Sequence, residues 1–170
     1  LASIGEAEAE RVYATGIRLI IDLRAPEEVQ NTGRGPLGAY DVEYINLPLM
    51  SDPAAPHQLL SDAGESVFTS ALMGTWYAQL LESAAPLLRQ ALELIVDAEY
   101  PIVFHCAAGK DRTGLLAGVL LSVLGADDEA LIADYAETQK NMPAVIKRIS
   151  VNMTNFSLEQ FIDAGSMLRA

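Results

Sequence analysis

A chain of 170 residues and 18.3 kDa is long enough to bury a core in one domain and too short for two independent ones. Its hydrophobic fraction of 51% against 20% charged residues argues against disorder, and the longest apolar run, Leu115 to Leu124, is interrupted by Gly118 and Ser122 and falls short of the ~18 residues that span a bilayer. A net charge of −12 and a pI near 4.4 weigh against nucleic-acid and anionic-membrane partners, which need a broad basic surface. A small anionic ligand stays compatible, because at physiological salt the Debye length is about 8 Å and a local cluster of donors outweighs distant charge. Cys106 is the single cysteine, so neither an intrachain disulfide nor a multi-cysteine metal site can form. The start, Leu1-Ala2-Ser3, lacks a Met and a signal sequence, and a processed or trimmed chain, cytoplasmic or secreted, is the expectation.

In chain order, the β-branched run Ile17 to Leu23 predicts a buried strand, and Arg24-Ala25-Pro26-Glu27-Glu28 puts a proline and an acidic pair where a helix's first turn wants them. Gln30 to Ala39, with Gly33, Gly35, Pro36 and Gly38, predicts a loop, and Val42 to Leu47 a second strand. Pro48 to Pro56 is too rich in proline for a helix interior or a central strand and predicts a long surface loop. From Val67, Phe68, Leu72, Trp76 and Leu80 recur at helical spacing and predict a helix ending near Glu82. Phe68, Trp76 and Tyr77 are expected as core or lid packing. Ser83 and Pro86 then suit the start of a second helix with Leu87, Leu88, Ala91, Leu92 and Ile95 on its apolar face.

Pro101 to His105 predicts a third strand, and Thr113 to Leu124 a helix closed by Gly125. Asp127 suits the cap of a helix through Tyr135, Pro143 the start of another bearing Val145, Ile146 and Ile149, and Ser157 to Gln160 a capping box before a last one. Strands separated by helices imply right-handed crossovers. The expected class is α/β: a central, mostly parallel sheet flanked by helices, in a single domain over residues 1–170.

The chemistry is concentrated in His105-Cys106-Ala107-Ala108-Gly109-Lys110-Asp111-Arg112-Thr113-Gly114, which lies between a predicted strand and a predicted helix. A tight loop there turns backbone N–H groups inward, and the helix adds its positive end, so the segment reads as an anion nest. Cys106 opens the loop and Arg112 closes it: a phosphate held on the amides of Ala107, Ala108, Gly109 and Lys110 would sit over the sulfur while a planar guanidinium grips its oxygens. A thiol so placed ionises more readily than a free one, yet most of the acceleration would have to come from in-line positioning and charge stabilisation.

These residues resemble the cysteine-dependent protein tyrosine phosphatase superfamily, whose signature of His-Cys, five residues, then Arg and Ser or Thr is met in full from His105 to Thr113. Ala108 to Gly114, together with Ile21-Asp22-Leu23-Arg24, is similar to the atypical bacterial and fungal branch that acts on phosphotyrosine and often on phosphoinositides. That branch has more chain before its Asp-Leu-Arg strand, so missing N-terminal residues and a bacterial source are what the resemblance implies. It also implies that Cys106 attacks phosphorus to give a phosphocysteine, Arg112 binds the equatorial oxygens, Thr113 assists sulfur departure and His105 orients the loop, with neither metal nor cofactor. Lys110 is expected at the rim, where it would contact a second phosphate or be solvated.

The leaving oxygen needs a proton donor, and three loops at the carboxyl ends of the strands offer Asp22, Asp52 and Asp111. The resemblance to the atypical branch favours Asp111, that to dual-specificity relatives makes Asp52 in the proline-rich loop the alternative acid, and Asp22 with Arg24 is expected to brace the phosphate loop. His57 has no role readable in the sequence. The expected activity is a phosphatase of phosphotyrosine, with phosphoserine, phosphothreonine and phosphoinositides as further substrates. The competing readings are a phosphate-binding module without turnover, a cysteine phytase and an arsenate reductase, the last of which would want resolving cysteines.

Overall fold

A computed structural model describes residues 1–51 and 70–150. Asp52, His57, Phe68 and the capping box at Ser157 to Gln160 lie outside the described residues. No helix among the described residues is long and apolar enough to cross a membrane.

The chain divides into two compact units, one of Leu1–Pro53 with Ser83–Leu116 and one of Ala54–Glu82 with Ala117–Ala170. The first unit holds a parallel sheet. Strand β1 (Leu19–Asp22) is its centre, with β2 (Glu43–Asn46) on one side and β3 (Ile102–His105) on the other. Every residue of β1 is buried, as its run of Leu and Ile requires of the middle strand of a sheet covered on both faces. Because all strands run the same way, their last residues fall on one row: Asn46, Asp22 and His105 are register partners.

Helix α1 (Glu6–Ala14) precedes β1 and was not foreshadowed by strong periodicity. It is glutamate- and alanine-rich, and its one fully buried residue, Ala9, packs with Ile17, Ile20 and Leu37. Its start is fixed by the Glu8 carboxylate accepting from the Gly5 N–H at 2.8 Å. After β1, helix α2 (Pro26–Thr32) opens on Pro26 as expected but runs further, and a 3₁₀ turn (Pro36–Ala39) follows. The segment expected as loop from Gln30 is thus partly helical; Leu37 supplies the reason, being 1% exposed in the same apolar cluster as Ala9.

Two expected helix boundaries are also corrected. Helix α3 (Ser70–Asp97) is continuous through Pro86 rather than broken at Ser83. Pro86 deprives the Glu82 carbonyl of its partner, but Glu82 is exposed, so water can take that place. A buried stripe of Met73, Trp76, Leu80, Ala84, Leu88 and Ala91 runs through the joint and favours one helix over two. The same holds for helix α6 (Thr138–Ser150), which contains Pro143 instead of starting at it, with Gln139, four residues earlier, exposed.

Helix α4 (Asp111–Val123) starts two residues before the predicted Thr113. It ends as predicted at Gly125, whose φ of +89° lets the Gly125 and Ala126 N–H groups reach the Ser122 and Leu121 carbonyls. Helix α5 (Asp128–Ala136) is capped by Asp127, whose carboxylate accepts from Ala130 N–H at 2.8 Å. Within the second unit, Tyr77 and Tyr135 meet hydroxyl to hydroxyl at 2.5 Å, and Trp76 is buried.

Candidate active site

The row of strand ends in the first unit carries the site. Cys106 follows the last residue of β3, and α4 begins at Asp111, so the intervening residues form a strand-to-helix turn. Gly109 turns it with a φ of +75°, a conformation that a residue with a Cβ resists. Its N–H is thereby aimed at the Cys106 sulfur, 3.3 Å away. The thiol is buried at 5% exposure, whereas Ala107, Ala108 and Gly109 on the crest are exposed.

Asp22 ends β1 beside this turn, as the register partner of His105. Fully buried, its carboxylate accepts from the Arg24 side chain at 2.5 to 3.0 Å, from the Arg24 N–H at 3.0 Å and from the Tyr44 hydroxyl at 2.7 Å. Burial alone would raise its pKa; the hydrogen bonds from Arg24 and Tyr44 outweigh that and hold it below the ordinary carboxylate value. On Tyr44 the same contact works in the other direction: burial, then its bond to Asp22, pushes the phenol up to about 12. Arg24 goes on to Thr32 Oγ1 and the Gly33 carbonyl at the far end of α2, and Asn46 Nδ2 donates to the Asp22 and Arg24 carbonyls. The loop after β1 is therefore held on three sides.

His105 Nδ1 lies 2.9 Å from the Cys106 carbonyl and Nε2 3.6 Å from Asp22 Oδ2. Burial pushes its pKa below the ordinary value, against the pull of those two neighbours. At neutral pH the ring is uncharged, and Nδ1 is the nitrogen that carries the proton to the carbonyl.

Arg112, 7% exposed in the first turn of α4, is met by a residue the sequence reading treated only as part of a helix's first turn. Glu28 accepts from both Arg112 Nη1 and Nη2, the latter at 3.0 Å. Burial disfavours the charged form of both groups, and the pair reverses both tendencies: the guanidinium pKa is raised and the carboxylate pKa lowered. Tyr44 and Asn46 were likewise missed. The available signal was positional: Tyr44 and Asn46 alternate on one face of β2, and Glu28 stands one helical turn beyond Arg24, at the end of the sheet that carries Cys106.

Lys110, expected on the rim, is buried at 4% exposure, with Nζ 2.8 Å from Asp111 Oδ1. Asp111 is one-third exposed at the first position of α4. The Thr113 hydroxyl is buried and has no hydrogen-bond partner among the described residues. The structure thus gathers His105, Cys106, Gly109, Lys110, Asp111, Arg112 and Thr113 on one turn, with Asp22 and Arg24 behind it.

A family model described as "Tyrosine phosphatase family" matches residues 1–168. The chain is 33% identical over 140 residues to a tyrosine-protein phosphatase of Nostoc commune, covering 80% of this chain and 45% of that protein. It is 29% identical over 173 residues to the triple specificity protein phosphatase PtpB of Mycobacterium tuberculosis, covering 88% and 62%, and 26% identical over 140 residues to a putative tyrosine-protein phosphatase of Cupriavidus necator, covering 79% and 49%. It spans about half the length of the curated relatives it matches. With its strand-to-helix turn around Cys106 and Arg112 and a family match over almost its whole length, the chain belongs to the tyrosine phosphatase family.

Proposed function

We propose that this chain hydrolyses phosphomonoesters, phosphotyrosine foremost, through a phosphocysteine intermediate. The observation that carries the reading is the buried Cys106 sulfur under the Gly109 N–H, on a turn whose helix presents Arg112 one turn later. A phosphoryl group seated there meets a nucleophile, backbone N–H groups, a helix N-terminus and a guanidinium together. These supply the positive charge that the transferring group needs, and the reaction requires no metal.

In the first step the deprotonated sulfur attacks phosphorus, an S–P bond forms, the P–O bond to the alcohol breaks, and an acid gives the leaving oxygen its proton. We assign that acid to Asp111, which is partly exposed on the same turn; Asp52 is the alternative. In the second step water attacks phosphorus, the carboxylate takes its proton, and the S–P bond breaks. The Thr113 hydroxyl, without a hydrogen-bond partner among the described residues, is available to donate to the departing sulfur. His105 and the Asp22–Arg24 pair hold the loop and touch no reacting atom in this scheme.

The Mycobacterium tuberculosis relative is named for triple specificity, which supports a substrate range wider than phosphotyrosine, including phosphoserine, phosphothreonine and phosphoinositides. Lys110, a cation buried beside Asp111, is the residue we assign to a second phosphate. A panel of phosphotyrosine peptide, phosphoserine peptide, phosphoinositides and inositol hexakisphosphate tests this, with Cys106→Ser as control. Turnover of the phosphotyrosine peptide that Cys106→Ser abolishes is expected. Turnover of the inositol phosphate alone would replace the proposal by a phytase, and binding without any turnover by a phosphate-binding module.

A further inference from the structure

We infer that Tyr44 is a positioning residue that fixes the tautomer of His105: by filling the Asp22 oxygen that faces the ring, it keeps the single imidazole proton on Nδ1, where that proton holds the Cys106 carbonyl. The consequence for catalysis rests on the reading of the turn as a phosphate site. Tyr44, Asp22 and His105 share one face of the sheet. Tyr44 is the register partner of Ile20, Ile20 and Asp22 point the same way two residues apart, and His105 pairs with Asp22.

A neutral imidazole has one N–H, and the acceptors around it decide which nitrogen bears the proton. Two acceptors face His105: the Cys106 carbonyl, 2.9 Å from Nδ1, and Asp22 Oδ2, 3.6 Å from Nε2. A carboxylate is the stronger acceptor, so charge alone would draw the proton to Nε2. Occupancy opposes this. Each oxygen of an ionised carboxylate offers two lone pairs, and on Oδ2 they meet Arg24 Nη2 at 2.5 Å and the Tyr44 hydroxyl at 2.7 Å. Arg24 Nε is shared between both oxygens and lies nearer Oδ1. Nε2 is thereby left about 0.7 Å beyond the separation of a good hydrogen bond. Tyr44 is itself held, with the Arg34 guanidinium 3.8 Å from its ring centroid, and a phenol pushed up to about 12 keeps its proton to donate.

The Nδ1 proton acts on the turn through one peptide plane. The Leu23 N–H holds the His105 carbonyl at 2.8 Å, and Nδ1–H fixes the next carbonyl, that of Cys106. The Cys106–Ala107 peptide is trans, and a planar trans peptide points its N–H away from its C=O. The anchored Cys106 carbonyl therefore sets the direction of the Ala107 N–H, the first amide after the sulfur. With the proton on Nε2, an Nδ1 lone pair would face the carbonyl oxygen and that peptide would turn.

Nitrogen NMR of the labelled full chain at pH 8, where the ring is neutral, reads the tautomer directly. A His57→Gln background removes the other histidine signal. The proton is expected on Nδ1 when Tyr44 is present and on Nε2 in Tyr44→Phe. A proton on Nε2 with Tyr44 present overturns the inference and needs no Tyr44 variant to fold; a proton that stays on Nδ1 in Tyr44→Phe overturns it equally.

Turnover of an aryl phosphate supplies the second readout. Tyr44→Phe is expected to lower kcat about 10–100-fold, the scale of a misplaced donor. In His105→Asn, whose amide can donate to the Cys106 carbonyl and has no tautomer, the same substitution is expected to change kcat by no more than about 2-fold. An equal loss in both backgrounds would show a merely structural role and overturn the inference, as would an unchanged kcat in Tyr44→Phe. If the parent chain does not turn over at all while the proton moves as expected, the phosphatase reading falls and the control of the tautomer by Tyr44 stands.

Discussion

Asp22 and Arg24, two residues apart at the end of β1, face each other out of water, with Arg24 Nε 2.9 and 3.0 Å from the two carboxylate oxygens and Nη2 2.5 Å from one of them. They are 0% and 3% exposed, so neither charge has solvent to fall back on. A pair of this kind is weak evidence for net stability, yet breaking it strands the surviving charge. It works here as a mould: Arg24 spans from Asp22 to Thr32 and Gly33, and the loop after β1 is set by where that side chain must lie.

Asp22→Asn is therefore expected to destabilise the fold by about 3–5 kcal/mol, the range for an unpaired buried charge. Tyr44→Phe, which removes one bond to the same carboxylate, is expected to cost about 1.5–3 kcal/mol. Urea midpoints of the two variants check the ranking, and a larger loss in Tyr44→Phe would show that the ion pair is not what shapes the loop.

The folded pKa of His105 lies below the ordinary 6.5. Between the two values the unfolded chain holds more protons than the folded one, so stability rises with pH across that window. Stability is expected to be level above about pH 7 and to decline as pH falls through about 6.5. Asp22 and Glu28, depressed in the fold, keep their contribution until pH falls into and below the carboxylate range. His105→Asn should remove the upper part of the decline; urea midpoints against pH that keep their full slope in this variant would contradict the assignment.

The fold and the turn that carries Cys106 were legible in the sequence for different reasons. Leu19 to Asp22 and Ile102 to His105 are short, apolar and bounded by turn residues, and each formed a strand inside the predicted run. The placement of Cys106 and Arg112 on a strand-to-helix turn was readable from the apolar strand before them and the helical run after them. What escaped depends on long-range pairing. Glu28 looked like any acidic residue favouring a helix's first turn; its partner lies 84 residues on. Lys110 looked exposed because lysines usually are, and its burial beside Asp111 follows from packing. Pro86 and Pro143 misled in the opposite direction, since local chemistry marked boundaries that the chain overrides where the freed carbonyl reaches water.

The proton donor is separable by leaving group. Asp111→Asn is expected to lose about 10²–10⁴-fold on alkyl phosphates and far less on activated aryl phosphates. Asp52→Asn is expected to do little in either series. The reverse pattern in steady-state kinetics, with Asp111→Asn altering only KM, would move the donor to the proline-rich loop.

The phosphocysteine is the central claim, and acid quenching during turnover of a labelled aryl phosphate, followed by peptide mapping, tests it most directly. The account predicts one labelled phosphoryl group on the Cys106 peptide, lost in Cys106→Ser together with all turnover, and a rate indifferent to chelators. Turnover that survives Cys106→Ser, or label on any other residue, would contradict it.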